Sequence, residues 1–86
     1  MSGFNYTYVL KSLKDNKFYT GYTINLKKRL ELHLLGKVNA TKHRRPLKLV
    51  YYEASLNKEK AIKREKYFKT GFGRRFLNNR LEDYFK

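Results

Sequence analysis

The sequence contains no cysteine, one proline and only seven acidic residues. Without cysteine, neither disulfide bonds nor zinc sites built on thiolates are available. No hydrophobic run approaches the about 20 residues that a membrane-spanning helix needs, and the N-terminus lacks the apolar stretch of a secretion signal. At 86 residues, we expect one small cytoplasmic domain over residues 1–86, with a compact core supplied by six Phe and eight Tyr.

The scarcity of acids leaves a large charge imbalance. Twenty-one Lys and Arg residues give a formal net charge of +14, which predicts a polyanionic partner. An anionic membrane surface is a second candidate. The basic residues are, however, spread over every segment and interleaved with tyrosines, rather than gathered on one amphipathic helix. The composition therefore favours nucleic acid over a membrane.

The first part of the chain has the pattern of a β-hairpin. Residues 4–13 alternate in polarity and predict a strand, with Tyr6 and Tyr8 on the same face. A turn at residues 14–17 leads to a return strand at residues 18–22. Gly21 predicts a bend in that strand or a close approach to its backbone.

A helix follows the hairpin, capped by Thr23 or Asn25. Its buried stripe is predicted from leucines spaced four apart, and Gly36 predicts its end. Residues 37–46 form a basic loop, and residues 47–54 predict a third strand that is buried on both faces. The predicted leucine stripe consists of Leu26, Leu30 and Leu34.

A second helix is predicted from its Asn57 cap to Thr70–Gly71. The tail carries apolar residues at helix-like spacing and predicts a short closing helix; these residues are Phe76, Leu77, Leu81, Tyr84 and Phe85. The element order ββαβα(α) indicates an α/β protein of the α+β class, in which helices flank a small, three-stranded, mostly antiparallel sheet.

Glu65 is the acidic residue with the least ordinary surroundings. Ala61, Ile62 and Phe68 define the buried side of the second helix, and Glu65 falls in the middle of that side. A carboxylate there is costly unless a cation or hydrogen-bond donors meet it. It is either the partner of a neighbouring Lys or Arg, or a ligand of a metal such as Mg²⁺, which accepts one or two protein carboxylates.

Two further groups of residues have the chemistry of a phosphodiester site. Arg29 and His33 share one side of the first helix; they are either a solvated charge with a half-buried imidazole, or an arginine fork and a histidine donor for phosphate. Tyr8 and Tyr19 either pack across the strands or hold and deprotonate a water, because nearby positive charge lowers the pKa of a phenol.

The segments "YTYVL", "YTG" and "YTINLKKRLELH" resemble the signature of the GIY-YIG nuclease superfamily, in its small single-domain bacterial form, the UPF0213-like branch. The later "TKHRRPLKLVYYEA", "AIKREKYFK" and "GRRFLNNRL" resemble the same branch, so the likeness extends over nearly the whole chain. One departure is that the first tripeptide, Tyr6–Thr7–Tyr8, lacks its glycine.

The resemblance implies a role for each matching residue. Tyr8 belongs to the first tripeptide, and Tyr19 and Gly21 to the second. Arg29 matches the arginine that contacts the scissile phosphate, and His33 the histidine one turn later. Glu65 matches the glutamate that holds a single divalent cation, Mg²⁺ or Mn²⁺. The family varies in which tyrosine is the base.

Three functions remain open from the sequence. The first is a divalent-metal-dependent endonuclease acting on DNA in preference to RNA, with Tyr8, Tyr19, Arg29, His33 and Glu65 as its catalytic residues. The second is a basic module that binds DNA or RNA without cutting, and the third is a small protein that docks to an acidic partner. The predicted nucleic-acid contacts are Gly21, Lys28, Lys42, His43, Arg44, Arg45, Arg74 and Arg75. Oligomeric state is not predicted.

Overall fold

The computed structural model describes residues 3–84, in which three strands form one sheet flanked by three α-helices. The sheet order is β2-β1-β3, and both strand pairs are antiparallel. This architecture confirms the predicted α+β class; Phe85 of the predicted closing helix lies outside the described residues. The elements are β1 (Asn5–Ser12), β2 (Phe18–Thr23), α1 (Leu26–Leu34), a short 3-10 turn (Lys42–Arg44), β3 (Leu47–Ser55), α2 (Lys58–Phe68) and α3 (Gly71–Leu81).

Polar side chains begin each of the three α-helices in the described part of the chain. Asn25, Asn57 and Thr70 each accept a hydrogen bond from the backbone N–H three residues later, which satisfies a donor that has no partner inside the helix. Of the two predicted caps of α1, the structure uses Asn25 rather than Thr23. Gly36 follows α1 with φ of 75°, a backbone conformation that glycine adopts without steric cost.

The central strand, β1, divides the core between the two faces of the sheet because its side chains alternate. Tyr8 and Leu10 pack on the side of α1, which we call the α1 face. Val9 packs against Phe68 and Leu77 on the other side, which we call the α2–α3 face. Thr7 also points to the α2–α3 face, where its hydroxyl donates to the Ala61 carbonyl at 2.7 Å.

Two details of the predicted core are wrong. Strand β3 is an edge strand, and only Leu47 of its residues is buried, while the others are partly buried or exposed. Leu34 is 49% exposed, whereas His33 is completely buried. The reason is that a helix turns about 100° per residue, so each four-residue step drifts by about 40°. His33 therefore lies nearer to the direction of Leu26 and Leu30 than Leu34 does.

None of the helices in residues 3–84 is both long enough and apolar enough to cross a membrane.

Candidate active site

A chain of three buried polar side chains lies on the α1 face. The Tyr8 hydroxyl is 2.8 Å from His33 Nε2, and His33 Nδ1 is 2.7 Å from Thr41 Oγ1. Tyr8 comes from the central strand, His33 from the last turn of α1, and Thr41 from the basic loop. At most 1% of each residue is exposed. Three separate segments therefore meet in one hydrogen-bonded chain, and burial strengthens its electrostatics.

Burial keeps the His33 imidazole neutral. Its pKa is lowered to about 4, first by burial and then by the positive charge of Arg29. One ring nitrogen of a neutral imidazole donates and the other accepts. In the tautomer protonated at Nδ1, His33 donates to Thr41 and its Nε2 accepts the proton of the Tyr8 hydroxyl. The Thr41 hydroxyl can also donate to Nδ1, and the tautomer protonated at Nδ1 is the one in which His33 can receive a proton from Tyr8.

The pKa of Tyr8 departs from what its basic surroundings suggest. Burial raises the pKa of the phenol, and the Arg29 guanidinium, which acts on the hydroxyl at close range, lowers it by less. Positive charge thus lowers the pKa of Tyr8 as expected, but the net shift is upward because desolvation of the phenolate is the larger effect. Tyr8 is a neutral phenol whose proton has a nearby acceptor in His33.

Gly21 makes room for the phenol of Tyr8. The two residues are paired across β1 and β2, and a Cβ at position 21 would collide with the Tyr8 hydroxyl and ring carbons. Gly21 itself is buried. Position 21 therefore requires a residue without a side chain, because the Tyr8 ring lies over it. The sequence indicated only a bend or a close approach to the backbone of Gly21.

Tyr19 and Arg29 complete the part of the site that lies on the α1 face. The ring centroids of Tyr19 and His33 are 5.3 Å apart, and a charge on Tyr19 would raise the pKa of Tyr8. Tyr19 and Arg29 are half-buried, unlike Tyr8. Both therefore reach the solvent side of the site, where a phosphate could contact them.

Glu65 approaches the same hydroxyl from α2. Its side chain is 20% exposed and pairs with Lys69 one turn later, with Lys69 Nζ 3.2 Å from Oε2. Its negative charge raises the pKa of Tyr8, which places the carboxylate within electrostatic range of the phenol. The bond from Thr7 to the Ala61 carbonyl fastens α2 to the central strand one turn before Glu65.

The donor set fits a divalent cation held by one protein ligand. No group of three or more His, Cys, Asp or Glu side chains in residues 3–84 is arranged to enclose a metal. Mg²⁺ does not need such a cage, since it retains several waters and binds one or two carboxylates together with substrate phosphate. Glu65 offers a hard oxygen donor, and a cation there would compete with Lys69 for the carboxylate.

The predicted basic contacts lie in separate places. Lys42, His43 and Arg45 line a shallow depression beside the 3-10 turn. Arg44 and Arg74 line another, where Arg44 is bound to Asp15 with Nε 3.1 Å from Oδ2. The remaining basic candidates are exposed on the helices; these are Lys28 on α1 and Arg75 on α3. The positive surface thus has several patches around the domain.

Sequence reasoning missed Thr41. It stands in an irregular basic loop, where no periodicity marks a buried position. Its proximity to His33 depends on how the loop folds back over α1, which becomes visible only in the structure. Thr7 was likewise unremarkable in the sequence, although it fastens α2 to β1.

The fold and its site together define a class: a small α+β domain with a tyrosine–histidine chain on a three-stranded sheet, flanked by an arginine and a glutamate. Comparison with known proteins supports this. The family model of the GIY-YIG catalytic domain matches residues 4–85. The chain therefore belongs to the GIY-YIG family, a nuclease family.

Relatives place the chain in one branch of that family. It is 46% identical over 67 residues to a UPF0213 protein of Staphylococcus haemolyticus, covering 77% of this chain and 80% of the relative. It is 48% identical over 66 residues to a UPF0213 protein of Clostridium perfringens, covering 76% and 70%. The solution NMR structure of a UPF0213 protein from Bacillus halodurans matches with a TM-score of 0.56 and 33% identity, covering 88% of this chain and 83% of that one.

Proposed function

We propose that this chain is a cytoplasmic, divalent-metal-dependent endonuclease that hydrolyses phosphodiester bonds in DNA. One observation carries this proposal: four groups act on the Tyr8 hydroxyl, one by a hydrogen bond and three through their charge. His33 is hydrogen-bonded to it, and the charges of Arg29, Tyr19 and Glu65 all act on its pKa. A proton acceptor, a guanidinium and a carboxylate are the parts that hydrolysis of a phosphate ester needs.

In this mechanism, the two phenols have complementary properties. Tyr8 has a proton acceptor in His33 but is buried, whereas Tyr19 is accessible. When phosphate draws the Arg29 guanidinium outward, a water can approach the Tyr8 oxygen. The phenol then takes a proton from the water as its own proton moves to His33 Nε2, and Tyr19 holds the water in place.

Arg29 and Glu65 act on the phosphate itself. The planar guanidinium binds two phosphate oxygens and neutralises the charge that develops on them in the transition state. Glu65 would hold the divalent cation, which when bound would supply Lewis-acid stabilisation of a phosphate oxygen. Lys69, released from its ion pair, remains near the site as an additional cation for the nucleic-acid backbone.

The test is a cleavage panel with Mg²⁺ or Mn²⁺ on duplex, nicked, branched and single-stranded DNA and on matched RNA. We expect metal-dependent cleavage by the wild type, and a loss of at least about 100-fold in Glu65→Gln, because a carboxylate ligand is replaced by a neutral amide. Glu59→Gln is the matched control, since Glu59 is an exposed acid in the first turn of the same helix.

Glu65→Gln should leave the fold intact, because the lost ion pair with Lys69 is a surface pair one helical turn apart and contributes little stability. Equal inactivity of the wild type and Glu65→Gln on every substrate would refute the enzyme. Cleavage by Glu65→Gln at the wild-type rate would refute the role of this carboxylate.

The net charge of +14 supports a second candidate, a basic module that binds DNA or RNA without cutting. Neutralising phosphates releases counterions and gives sequence-independent affinity that falls steeply with salt. The two functions differ at Glu65. A module that only binds would hold DNA equally well, or more tightly, in Glu65→Ala and would show no metal dependence.

A further inference from the structure

An open groove lies beside the chain formed by Tyr8, His33 and Thr41, and it has no role in the mechanism above. It has a volume of about 740 Å³. Its walls are largely apolar and include Phe4, Tyr6, Ile24, Leu26, Lys27 and Tyr52; we call it the aromatic groove. Tyr52 is 52% exposed, Ile24 72% and Phe4 38%. A domain of this size rarely leaves large apolar side chains together at the surface without a use for them.

The aromatic groove continues the face that carries the candidate active site. Tyr6 is two residues before Tyr8 on β1, so their side chains point the same way about 7 Å apart. Tyr52 is the cross-strand partner of Tyr8 on β3, and its ring centroid lies 6.2 Å from that of Tyr6. The walls shared with the Tyr8 cluster are Leu26, Leu30 and Leu49.

The chemistry of the lining favours nucleobases over a second copy of the chain. Among the described residues of the lining, Lys27 is the only one with a charged side chain, and the polar ones are amides and phenols. A second copy would bring another charge of +14 to the same place, which is unfavourable. Single-strand binders combine positive charge that follows the backbone with aromatic rings on which bases stack.

We propose that the aromatic groove binds unpaired nucleobases next to the scissile phosphodiester, and that the substrate is therefore nucleic acid with a single-stranded or frayed segment. Duplex bases are stacked on their neighbours and cannot lie on Tyr52. The substrate preference rests on the proposed function, whereas base binding itself does not require cleavage and can be measured separately.

The binding test compares two oligonucleotides that differ only in their bases. One is an oligothymidylate of about 12 nucleotides, within the range that single-strand-binding folds cover; the other is an abasic strand of the same length and charge. Binding is measured by fluorescence anisotropy in EDTA, so that no cleavage occurs. We expect the wild type to bind the strand with bases at least about fivefold more tightly, the lower end of what one stacked base contributes.

The variants assign this selectivity to one ring. Tyr52→Ala should bring the two affinities together, and Tyr52→Phe should keep them apart because it retains the stacking surface. Phe72→Ala is the matched control, since Phe72 is 73% exposed on α3, outside the lining. Equal affinities in the wild type, or selectivity that survives Tyr52→Ala, would overturn the proposal, as would an equal loss in Phe72→Ala.

A measurement on the wild type makes the test independent of any variant. In NMR spectra of the labelled protein, the strand with bases should shift the signals of Phe4, Tyr6 and Tyr52, and the abasic strand should not. Identical shifts with both strands would overturn the proposal. A second outcome would also overturn it: the wild type sediments as a dimer and shows no base selectivity, and Tyr52→Ala dissociates that dimer. A second copy of the chain would then occupy the groove.

Cleavage separates this inference from the proposed function. Base-selective binding by a protein that cuts nothing would support the groove and refute the nuclease. A protein that cuts blunt duplex as fast as a flap of the same sequence, with Tyr52→Ala unchanged, would support the nuclease and refute the groove. Faster cleavage of the flap, reduced toward the duplex rate by Tyr52→Ala but not by Phe72→Ala, supports both.

Discussion

The two faces of the sheet differ in the chemistry of their buried side chains. The α2–α3 face is filled by apolar and aromatic groups, where Val9, Phe68 and Leu77 are almost completely buried. The α1 face buries a phenol, an imidazole and a threonine hydroxyl in one hydrogen-bonded chain. Apolar contacts dominate the α2–α3 face, which also buries the hydrogen bond from Thr7 to the Ala61 carbonyl, whereas the α1 face adds a connected chain of polar side chains to its leucines.

Within this small domain, the apolar contacts that stabilise the fold and the polar chain of the candidate active site therefore lie on opposite faces of the sheet. Apolar burial is non-directional, so the α2–α3 face tolerates small shifts at a modest cost. A buried polar chain must keep every partner in place, because an unsatisfied group costs more than the bond contributes. Since β1 lies between both faces, the firm packing on one side holds Tyr8 in position on the other.

Leu77→Ala should have the largest effect on folding. Leu77 is 1% exposed, and its truncation should lower the free energy of unfolding by about 2–5 kcal/mol through lost burial and a cavity. Urea denaturation measures this, with the 75% exposed Leu56 changed to Ala as control. If cleavage per folded molecule also fell as far as in Glu65→Gln, the separation of the two faces would be wrong.

Gly21→Ala should damage the chemical face. The added Cβ collides with the Tyr8 hydroxyl and ring, so the phenol must move away from His33. We expect a loss of about 1–3 kcal/mol in stability, typical of overpacking, and a fall in cleavage beyond the loss of folded protein. Gly71→Ala is the control, because a Cβ there meets nothing within 4 Å. Equal effects of the two substitutions would contradict the steric explanation.

Thr41→Val tests the last member of the polar chain. Valine keeps the shape but removes the oxygen, leaving His33 Nδ1 buried without its partner, at a cost of about 1–3 kcal/mol at most. We expect cleavage to fall about tenfold, which is the lower end of the effect seen when a histidine that binds a metal loses the partner that orients it. Thr41→Ser should restore cleavage. The ¹⁵N shifts of His33 should report a changed tautomer in Thr41→Val only. Unchanged shifts would refute a positioning role.

A pH dependence of stability should distinguish two sites. The pKa of His33 is lowered from 6.5 to about 4, so the unfolded chain binds a proton more readily between these values. Stability should fall as pH drops from 6.5 to 4. His33→Gln should remove this slope. Arg44 lowers the pKa of Asp15 from 3.8 to about 2. The contribution of Asp15 to stability is therefore lost only as the pH falls below about 4, and Asp15→Asn should change the stability in that pH range alone.

Much of the fold could be predicted from the sequence because its signals are local. Alternation predicted β1, the turn after it predicted β2 as the return strand, polar caps predicted where α1 and α2 begin, and Gly36 predicted where α1 ends. The prediction for β3 was wrong because burial of both faces depends on a strand's place in the sheet, and an apolar run does not reveal that place. Leu34 was wrongly predicted to lie on the buried stripe of α1, because a spacing of four residues departs from the helical period of about 3.6.

Most residues of the candidate site could be predicted from the sequence, but the hydrogen bonds between them could not. Tyr8, Tyr19, Arg29, His33 and Glu65 could be singled out by residue type, spacing and resemblance, and their catalytic roles stay predictions. Thr41 could not be, since it reaches His33 across a loop with no periodic pattern. The raised pKa of Tyr8 was also hidden, because burial can be judged only once neighbouring segments are in place.

The sequence by itself determined the class of fold, the starts of α1 and α2, the positive charge and the supply of phenols, guanidinium groups and one carboxylate on a half-buried helix face. These are properties of residues and their near neighbours along the chain. Only the tertiary structure decided that Gly21 makes room for Tyr8, that Thr41 orients His33, and that Tyr6 and Tyr52 form an open groove beside them. Such relations join segments far apart in the chain, and distances between them follow from packing rather than from spacing.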